Sequence, residues 1–147
     1  FHFVQADLTA LDEKTLDQRP FGLIFSFATL HHIPSREVRL NFLGRVRSLL
    51  ADGGLFVLSN WLFLNSPRLV ARIQPWETAG LAAADVDPGD YLLDWRSGEH
   101  GLRYVHAFEE AELAELADAS GFSVHDSFLS DGHGGKLSLY QSWTKKN

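Results

Sequence analysis

The stretch GLIFSFATLHHIPS, residues 22–35, decides how the chain folds. Its first half, Gly22–Phe27, is apolar enough to be a strand buried on both faces of a sheet. Two histidines follow, at the point where such a strand runs out into a loop. Ligands in α/β proteins bind at the carboxyl ends of parallel strands, so His31 and His32 are predicted to lie at a ligand-binding edge.

A helix and a second strand follow this stretch. Ser35 is placed to cap the helix, and apolar residues then recur every three or four positions, at Val38, Phe42, Val46, Leu49 and Leu50. The helix is predicted to end at Ala51–Gly54, where glycine favours a left-handed cap, and Leu55–Asn60 is the next buried strand. Strand, helix and strand with short connections form a parallel crossover, which predicts an α/β, doubly wound fold.

The remaining segments complete one domain over residues 1–147. They are predicted as a strand at Phe1–Gln5, an irregular excursion over the sheet at Trp61–Gly101 that includes a helix at Asn65–Ile73, an amphipathic helix at Glu109–Ser120, and an antiparallel strand pair at Phe122–Phe128 and Leu137–Trp143. Neither an internal repeat nor a linker divides the sequence.

Composition narrows the class of protein. The chain has 147 residues, of which 45% are hydrophobic, which is enough for one ordinary core. It contains no cysteine, so disulfides, thiolate metal sites and a cysteine nucleophile are excluded. A net charge of −6 argues against a nucleic-acid surface, which is normally basic. No apolar run reaches membrane-spanning length, so we expect a soluble, cytoplasmic protein with no membrane partner.

Three motifs occur in a fixed order along the chain. They are a strand followed by Ala6-Asp7-Leu8, a buried strand ending in Phe27-Ala28-Thr29-Leu30-His31-His32, and a helix that turns through Asp52-Gly53-Gly54 into a strand. In this arrangement the sequence resembles the later part of the class I S-adenosylmethionine-dependent methyltransferases. The resemblance implies a Rossmann-like fold with a mostly parallel sheet and a C-terminal antiparallel hairpin. It also implies S-adenosyl-L-methionine as the cofactor.

The resemblance assigns four residues to cofactor binding at two strand ends. Asp7 would accept a hydrogen bond from the adenine amino group, because an ionised carboxylate is an acceptor only, and the backbone N–H of Leu8 would reach a ring nitrogen. The backbone of Phe27 and Ala28 would line the ligand. Taken alone, Asp7 could equally be an ordinary turn-forming residue, but the order of the motifs favours binding.

The same comparison gives the two histidines different expected roles. Neighbouring residues on an extended segment point in opposite directions, so both rings are not expected to face the ligand. His32 is expected near the cofactor or in loop packing, and His31 is the substrate-facing acid or base candidate. Alternatively, either ring caps backbone groups at the end of the strand.

The second half of the chain carries a narrower resemblance. Its motifs are Gly89-Asp90-Tyr91-Leu92-Leu93-Asp94-Trp95, Leu102-Arg103-Tyr104-Val105-His106-Ala107-Phe108 and Glu112-Leu113-Ala114-Glu115-Leu116. They are similar to those of the tRNA wobble-uridine carboxymethyl methyltransferases, which methylate a carboxylate on a modified base. The resemblance implies that Arg103 holds this carboxylate and that Tyr104 or His106 orients it. Alternatively, Arg103 pairs with Glu109 or Glu110.

This resemblance has one departure. The family's terminal Asp-x-Gly is followed by Asn-Trp, whereas here Asp131-Gly132 is followed by His133-Gly134.

Two motifs expected of this class are missing. The sequence has neither a strand leading into a glycine-rich turn nor a strand ending in an acid for the ribose. We therefore expect an amino-terminally truncated methyltransferase domain that is inactive alone. The missing strands would lie between Phe1–Gln5 and Gly22–Phe27. No histidine pair has metal-ligand spacing, so no metal site is predicted.

Other functions fit the same sequence. A small-molecule methyltransferase suits the acidic charge better than one acting on tRNA. A non-catalytic Rossmann-like module, acting as an accessory subunit that binds a partner, is the alternative from another class.

Overall fold

The computed structural model describes residues 3–11, 20–96, 98 and 101–146. Its α-helices and strands are, in chain order, β1 (Phe21–Phe27), α1 (Arg36–Leu49), β2 (Leu50–Trp61), α2 (Pro67–Val70), β3 (Ile73–Gln74), β4 (Asp90–Trp95), β5 (Gly101–His106), α3 (Glu110–Ala119), β6 (Phe122–Ser130) and β7 (Ser138–Lys145). Within the described residues, none of the helices has the length and apolar character needed to cross a bilayer.

The main sheet has the strand order β1-β2-β7-β6. Strands β1 and β2 are parallel, whereas β7 is antiparallel to both β2 and β6. The predicted antiparallel pair at the carboxyl end is therefore confirmed. The expectation of a mostly parallel sheet is wrong for the described residues, because the sheet they form is mixed.

Helices α1 and α3 cover one face of this sheet. The Ser35 hydroxyl accepts a hydrogen bond from the Val38 N–H at 3.3 Å and so caps α1, as predicted. Most of the predicted stripe, from Phe42 to Leu50, is buried, together with Leu113, Leu116 and Ala117 of α3. Except for Leu49, these residues form one core with Phe56 and Trp143 of the sheet. A fully buried apolar side chain contributes roughly 1.5–3 kcal/mol to stability.

The segment between β2 and α3 contains a second sheet, which the sequence analysis missed. Strands β3, β4 and β5 form an antiparallel sheet in that order. Phe63, Leu93 and Val105 are buried in a small core of their own beside it. The predicted helix at Asn65–Ile73 is limited to α2, and Ile73 lies in β3. The segment between β2 and α3 is therefore a folded unit with its own core, in which β4 and β5 pair as a hairpin.

Strand β1 is exposed on one face. Phe21, Leu23, Phe25 and Phe27 are 41–57% exposed, whereas Ser26, on the opposite face, is buried. Successive side chains of a strand alternate between faces, and among the described residues helices cover only one of them. The expectation that Gly22–Phe27 is buried on both faces is therefore wrong for the described part of the chain, although the strand itself is confirmed.

The predicted strand at Phe1–Gln5 is not seen. Phe3–Gln5 lie outside the strands, and residues 1 and 2 are outside the described part of the chain. Within the described ranges, β1 has a strand neighbour on one edge only.

Candidate functional site

Strand β1 ends in a constrained turn at the carboxyl edge of the parallel pair. Ala28 has a φ of 49°, which a residue with a side chain rarely adopts. Its N–H donates to both the carbonyl and the hydroxyl oxygen of Ser59 in β2, each at 3.1 Å. Strained backbone of this kind costs roughly 1–3 kcal/mol and concentrates at binding sites. The backbone at the carboxyl edge of the β1–β2 pair, where a ligand is predicted to bind, therefore has a fixed conformation.

The two histidines lie in a single 3-10 turn, Leu30–His32, rather than on an extended segment. Their ring centroids are 4.3 Å apart, so the rings contact each other instead of pointing in opposite directions. The expected geometry was wrong because a tight turn, unlike a strand, does not alternate its side chains.

His31 is fully buried. Its Nδ1 accepts a hydrogen bond from the Trp61 N–H at 3.3 Å, and its ring stacks on the Trp61 indole with 5.2 Å between centroids. Burial, and next the neighbouring His32, lower the pKa of His31 to about 3, so the ring is neutral near pH 7. The structure therefore places His31 in the interior, not facing a substrate as expected, and a ring this weakly basic is poorly suited to proton transfer.

His32 is half-buried and lines an open cleft. Its Nδ1 donates to the Tyr104 carbonyl at 2.9 Å, which leaves Nε2 as the acceptor nitrogen of the neutral ring. Burial lowers the pKa of His32, so the neutral form is favoured near pH 7. The cleft has a volume of about 480 Å³ and is also lined by Trp95, Leu102 and Arg103.

Arg103 stacks over an aromatic ring. Its guanidinium carbon lies 3.4 Å from the centre of the Trp95 ring. Among the described residues no carboxylate forms an ion pair with it, so the alternative pairing with Glu109 or Glu110 is not seen. The planar fork of Arg103 is thus fixed on an aromatic face beside His32, an arrangement suited to a planar anion.

His106 lies inside the protein rather than in the cleft. Its ring is within 2.6 Å of Asp90 and 2.9 Å of Glu112, and its side chain is 3% exposed. The structure therefore separates His106 from the open surface on which a substrate-contacting role depends. Tyr104 extends its hydroxyl toward the same group of residues, donating to Asp90 at 2.6 Å. Burial and this hydrogen bond raise the pKa of Tyr104.

Sequence analysis missed three of the residues around His106. Asp90 and Glu112 lie within the quoted motifs without an assigned role, and Arg39 lies on the predicted helix after Ser35, where a basic residue is expected to be solvated. Arg39 instead follows Val38 on the buried face of α1 and is 1% exposed. A charged residue inside an apolar helical stripe is the signal that could have identified it.

Leu8 lines a second, smaller cleft, and Asp7 precedes it in the chain. Asp7 Oδ1 accepts hydrogen bonds from the N–H and the hydroxyl of Thr9, at 2.8 and 2.7 Å. Asp7 therefore has the turn-forming role given above as an alternative, and these hydrogen bonds lower the pKa of its carboxyl. Its Oδ2 has no hydrogen-bond partner among the described residues. Leu8 and Phe27 line one cleft of about 250 Å³ along β1. The structure therefore brings Leu8 and Phe27 together, whereas His32 lies in the other cleft.

Metal-ligating side chains are not gathered at either cleft. Within the described ranges, no group of three or more His, Asp or Glu side chains could hold a metal ion.

Known proteins share this architecture. A protein of Encephalitozoon cuniculi named as a methyltransferase is 33% identical over 107 residues, which is 72% of this chain and 46% of that protein. An S-adenosylmethionine-dependent methyltransferase from Clostridium acetobutylicum superposes with a TM-score of 0.66 at 13% identity, over 97% of this chain and 63% of that one.

A third relative was solved with ligands. The 1,6-didemethyltoxoflavin-N1-methyltransferase of Burkholderia thailandensis, with bound 1,6-didemethyltoxoflavin and S-adenosylhomocysteine, gives a TM-score of 0.60 at 20% identity, over 97% and 49% of the two chains. The chain thus spans about half to two thirds of the length of these relatives.

The family model described as "Methyltransferase domain" matches residues 1–127. This match covers most of the sequence, and the chain therefore belongs to the methyltransferase domain family, with a Rossmann-like class I fold.

Proposed function

We propose that the protein containing this chain is an S-adenosyl-L-methionine-dependent methyltransferase. The family match over residues 1–127 is the observation that carries this proposal. The relative from Burkholderia thailandensis, which has the same fold, was solved with S-adenosylhomocysteine bound. When bound, the cofactor supplies a methyl group on a sulfonium, an electrophile that is already activated.

The cofactor would lie along the edge formed by Asp7, Leu8, Phe27 and Ala28. Asp7 Oδ2, which has no hydrogen-bond partner among the described residues, suits an adenine amino group, and the half-exposed Phe27 ring offers an apolar surface. The backbone at Ala28, fixed by Ser59, provides a rigid boundary. These features are compatible with a nucleotide-bearing cofactor, although His32, the fifth residue expected to bind it, lies in the other cleft.

The substrate would carry a carboxylate held by Arg103. The guanidinium lies on Trp95 without a carboxylate partner in the described residues, and the neutral His32 beside it can accept a hydrogen bond. A carboxylate is ionised near neutral pH and needs no base, so Arg103 mainly binds and orients it, whereas the acceptor Nε2 of His32 suits a hydrogen-bond donor elsewhere on the substrate. This chemistry matches a carboxymethylated wobble uridine of tRNA.

A small-molecule acid is the second candidate substrate. The net charge of −6 disfavours a tRNA surface, and the Burkholderia thailandensis relative is solved with a small molecule. A non-catalytic partner-binding module is the alternative from another class. It predicts that alanine at His31, His32 and Arg103 leaves the activity of an associated complex unchanged.

The test uses the longest natural protein that contains this chain. Calorimetry should show binding of S-adenosylmethionine, and the absence of binding heat would overturn the enzyme assignment. Labelled methyl transfer to total tRNA is then compared with transfer to a pool of small carboxylic acids. Label in tRNA alone supports the wobble-uridine substrate, and label in the acids alone supports the small-molecule one. The 147 residues by themselves are expected to bind the cofactor more weakly, because their sequence has no glycine-rich turn.

A further inference from the structure

Five side chains from four elements meet in one buried polar group, here named the His106 cluster. They are Arg39 of α1, Asp90 of β4, Tyr104 and His106 of β5, and Glu112 of α3. The side chains of Arg39, Asp90 and His106 are 1%, 5% and 3% exposed. Charges at this depth persist only where opposite charges and hydrogen bonds replace water.

Both ring nitrogens of His106 lie against carboxylate oxygens. Nδ1 is 2.6 Å from Asp90 Oδ1, and Nε2 is 2.9 and 3.0 Å from the two oxygens of Glu112. An ionised carboxylate only accepts hydrogen bonds, so each contact needs a proton on the ring nitrogen. A neutral imidazole would direct the lone pair of one nitrogen at an anion. The contacts therefore fit an imidazolium that donates from both nitrogens.

The surrounding charges support this protonation state. Arg39 lies 3.3 Å from Asp90 and 3.7 Å from Glu112, and Glu112 is 31% exposed, so both carboxylates are favoured in the ionised form. With His106 charged, two cations balance two anions. With His106 neutral, one negative charge would stay uncompensated in a site with little water. The Tyr104 hydroxyl also donates to Asp90, and His31 interacts with His106 at longer range.

The cluster joins the second sheet to the helices of the main core. Asp90, Tyr104 and His106 belong to the β4–β5 hairpin, whereas Arg39 and Glu112 belong to α1 and α3. Tyr104 connects the cluster to the cleft, because its hydroxyl bonds to Asp90 and its carbonyl accepts from His32. Arg103, the preceding residue, projects to the other side of β5.

We infer that His106 is held as an imidazolium that fixes the β4–β5 hairpin to α1 and α3, and is thereby a positioning residue for the cleft of Arg103 and His32. Its role toward a substrate rests on the proposed function. Its charge state and its effect on the hairpin do not depend on that function.

The first experiment measures the charge of His106 directly. In the full chain labelled with ¹⁵N at histidine, both ring nitrogens of His106 should resonate as protonated nitrogens at pH 7. A single neutral tautomer at that pH would overturn the inference. In Glu112→Gln, which keeps an acceptor oxygen but removes the charge, the Nε2 signal of His106 should shift at pH 7. Glu115→Gln, on an exposed position of α3, is the matched control and should leave both ring signals unchanged.

The second experiment tests positioning, with phenylacetate as a carboxylate probe. Glu112→Gln should shift the Trp95 indole and Arg103 Nε signals and weaken phenylacetate binding by about threefold or more. Glu115→Gln should do neither. Unchanged Trp95 and Arg103 signals in Glu112→Gln would refute the positioning role. If phenylacetate leaves the wild-type cleft signals unmoved, the carboxylate substrate proposal fails. The His106 ring signals at pH 7 and the Trp95 and Arg103 shifts still decide the inference about His106.

Discussion

At the scale of single residues, Arg103 is the group best placed to bind an anion. Its guanidinium is stacked on Trp95, which orients the fork before any ligand arrives. Preorganisation of this kind lowers the entropy lost on binding. A lysine would keep the charge but lose both the stacking and the two parallel hydrogen bonds.

Arg103→Lys should therefore raise the KM for a carboxylate substrate by about tenfold and change kcat little, because it weakens ground-state and transition-state binding alike. Steady-state methyl transfer by the full-length protein measures this. Arg36→Lys, at an exposed position of α1, is the control and should leave KM unchanged. An unaltered KM in Arg103→Lys would contradict the assigned role.

His31 gives a second prediction at this scale, through its buried neutral ring. Its pKa is about 3 in the folded chain and about 6.5 when unfolded, so the unfolded chain binds more protons between these values. Stability is therefore fully present above pH 6.5 and is lost as the pH falls toward 3, with a slope of at most about 1.4 kcal/mol per pH unit.

Urea unfolding at pH 7, 6, 5 and 4 checks this dependence. His31→Gln should be less stable than the wild type at pH 7 but lose stability less steeply on acidification. His125→Gln, which replaces an exposed histidine of β6, should follow the wild-type slope. Parallel curves for His31→Gln and the wild type would show that His31 does not titrate as stated.

At the scale of elements, the end of β1 carries backbone strain that a glycine would relieve. Ala28→Gly should leave the free energy of unfolding unchanged or raise it, because the φ of 49° costs glycine little. Ala114→Gly, at an exposed position in the middle of α3, should lower it by about 1 kcal/mol. Urea denaturation of both variants tests the contrast, and a similar loss in both would argue against strain at Ala28.

Individual elements were predicted from sequence to different degrees. The apolar residues of α1 at three- and four-residue spacing and the Ser35 cap were sufficient to predict this helix. Helix α3 ends just before Gly121, which has a φ of 78°, where the helical spacing of apolar residues also ends. The second sheet was missed because β4 and β5 pair mainly with each other and β3 has two residues. No local pattern in the sequence shows such pairing across a loop.

The candidate site was predicted less completely than the fold. Arg103, predicted to hold the substrate, and His32, predicted to lie near the cofactor, lie in the same cleft. The burial of His31 and His106 was not foreseen, because it depends on Trp61, Asp90 and Glu112, which are brought to them by tertiary contacts. A sequence motif specifies residue types but not which of them reach the surface.

At the scale of the whole molecule, the two faces of the main sheet differ in burial. One face carries the core with Phe56, and the other exposes Phe25 and Phe27. The Phe27 ring contacts the rings of Phe25 and Tyr140. Burial rather than residue type should therefore decide what an aromatic side chain contributes to the stability of the 147-residue chain.

Phe25→Thr should consequently change the free energy of unfolding by less than about 0.5 kcal/mol, whereas Phe56→Ala should lower it by about 3–5 kcal/mol. Chemical denaturation of the 147-residue chain measures both. A loss of several kcal/mol in Phe25→Thr would mean that this face is covered in solution.

The position of β7 between β2 and β6 has a consequence for synthesis on the ribosome. Strand β2 can pair with β1 early, but its other edge stays open until residues 138–145, almost eighty positions later in translation, have left the exit tunnel. Completion of the sheet is therefore a late event that closes a long loop, and such closure slows folding. A nascent chain stalled before Ser138 would hold β6 without β7, its neighbour in the sheet.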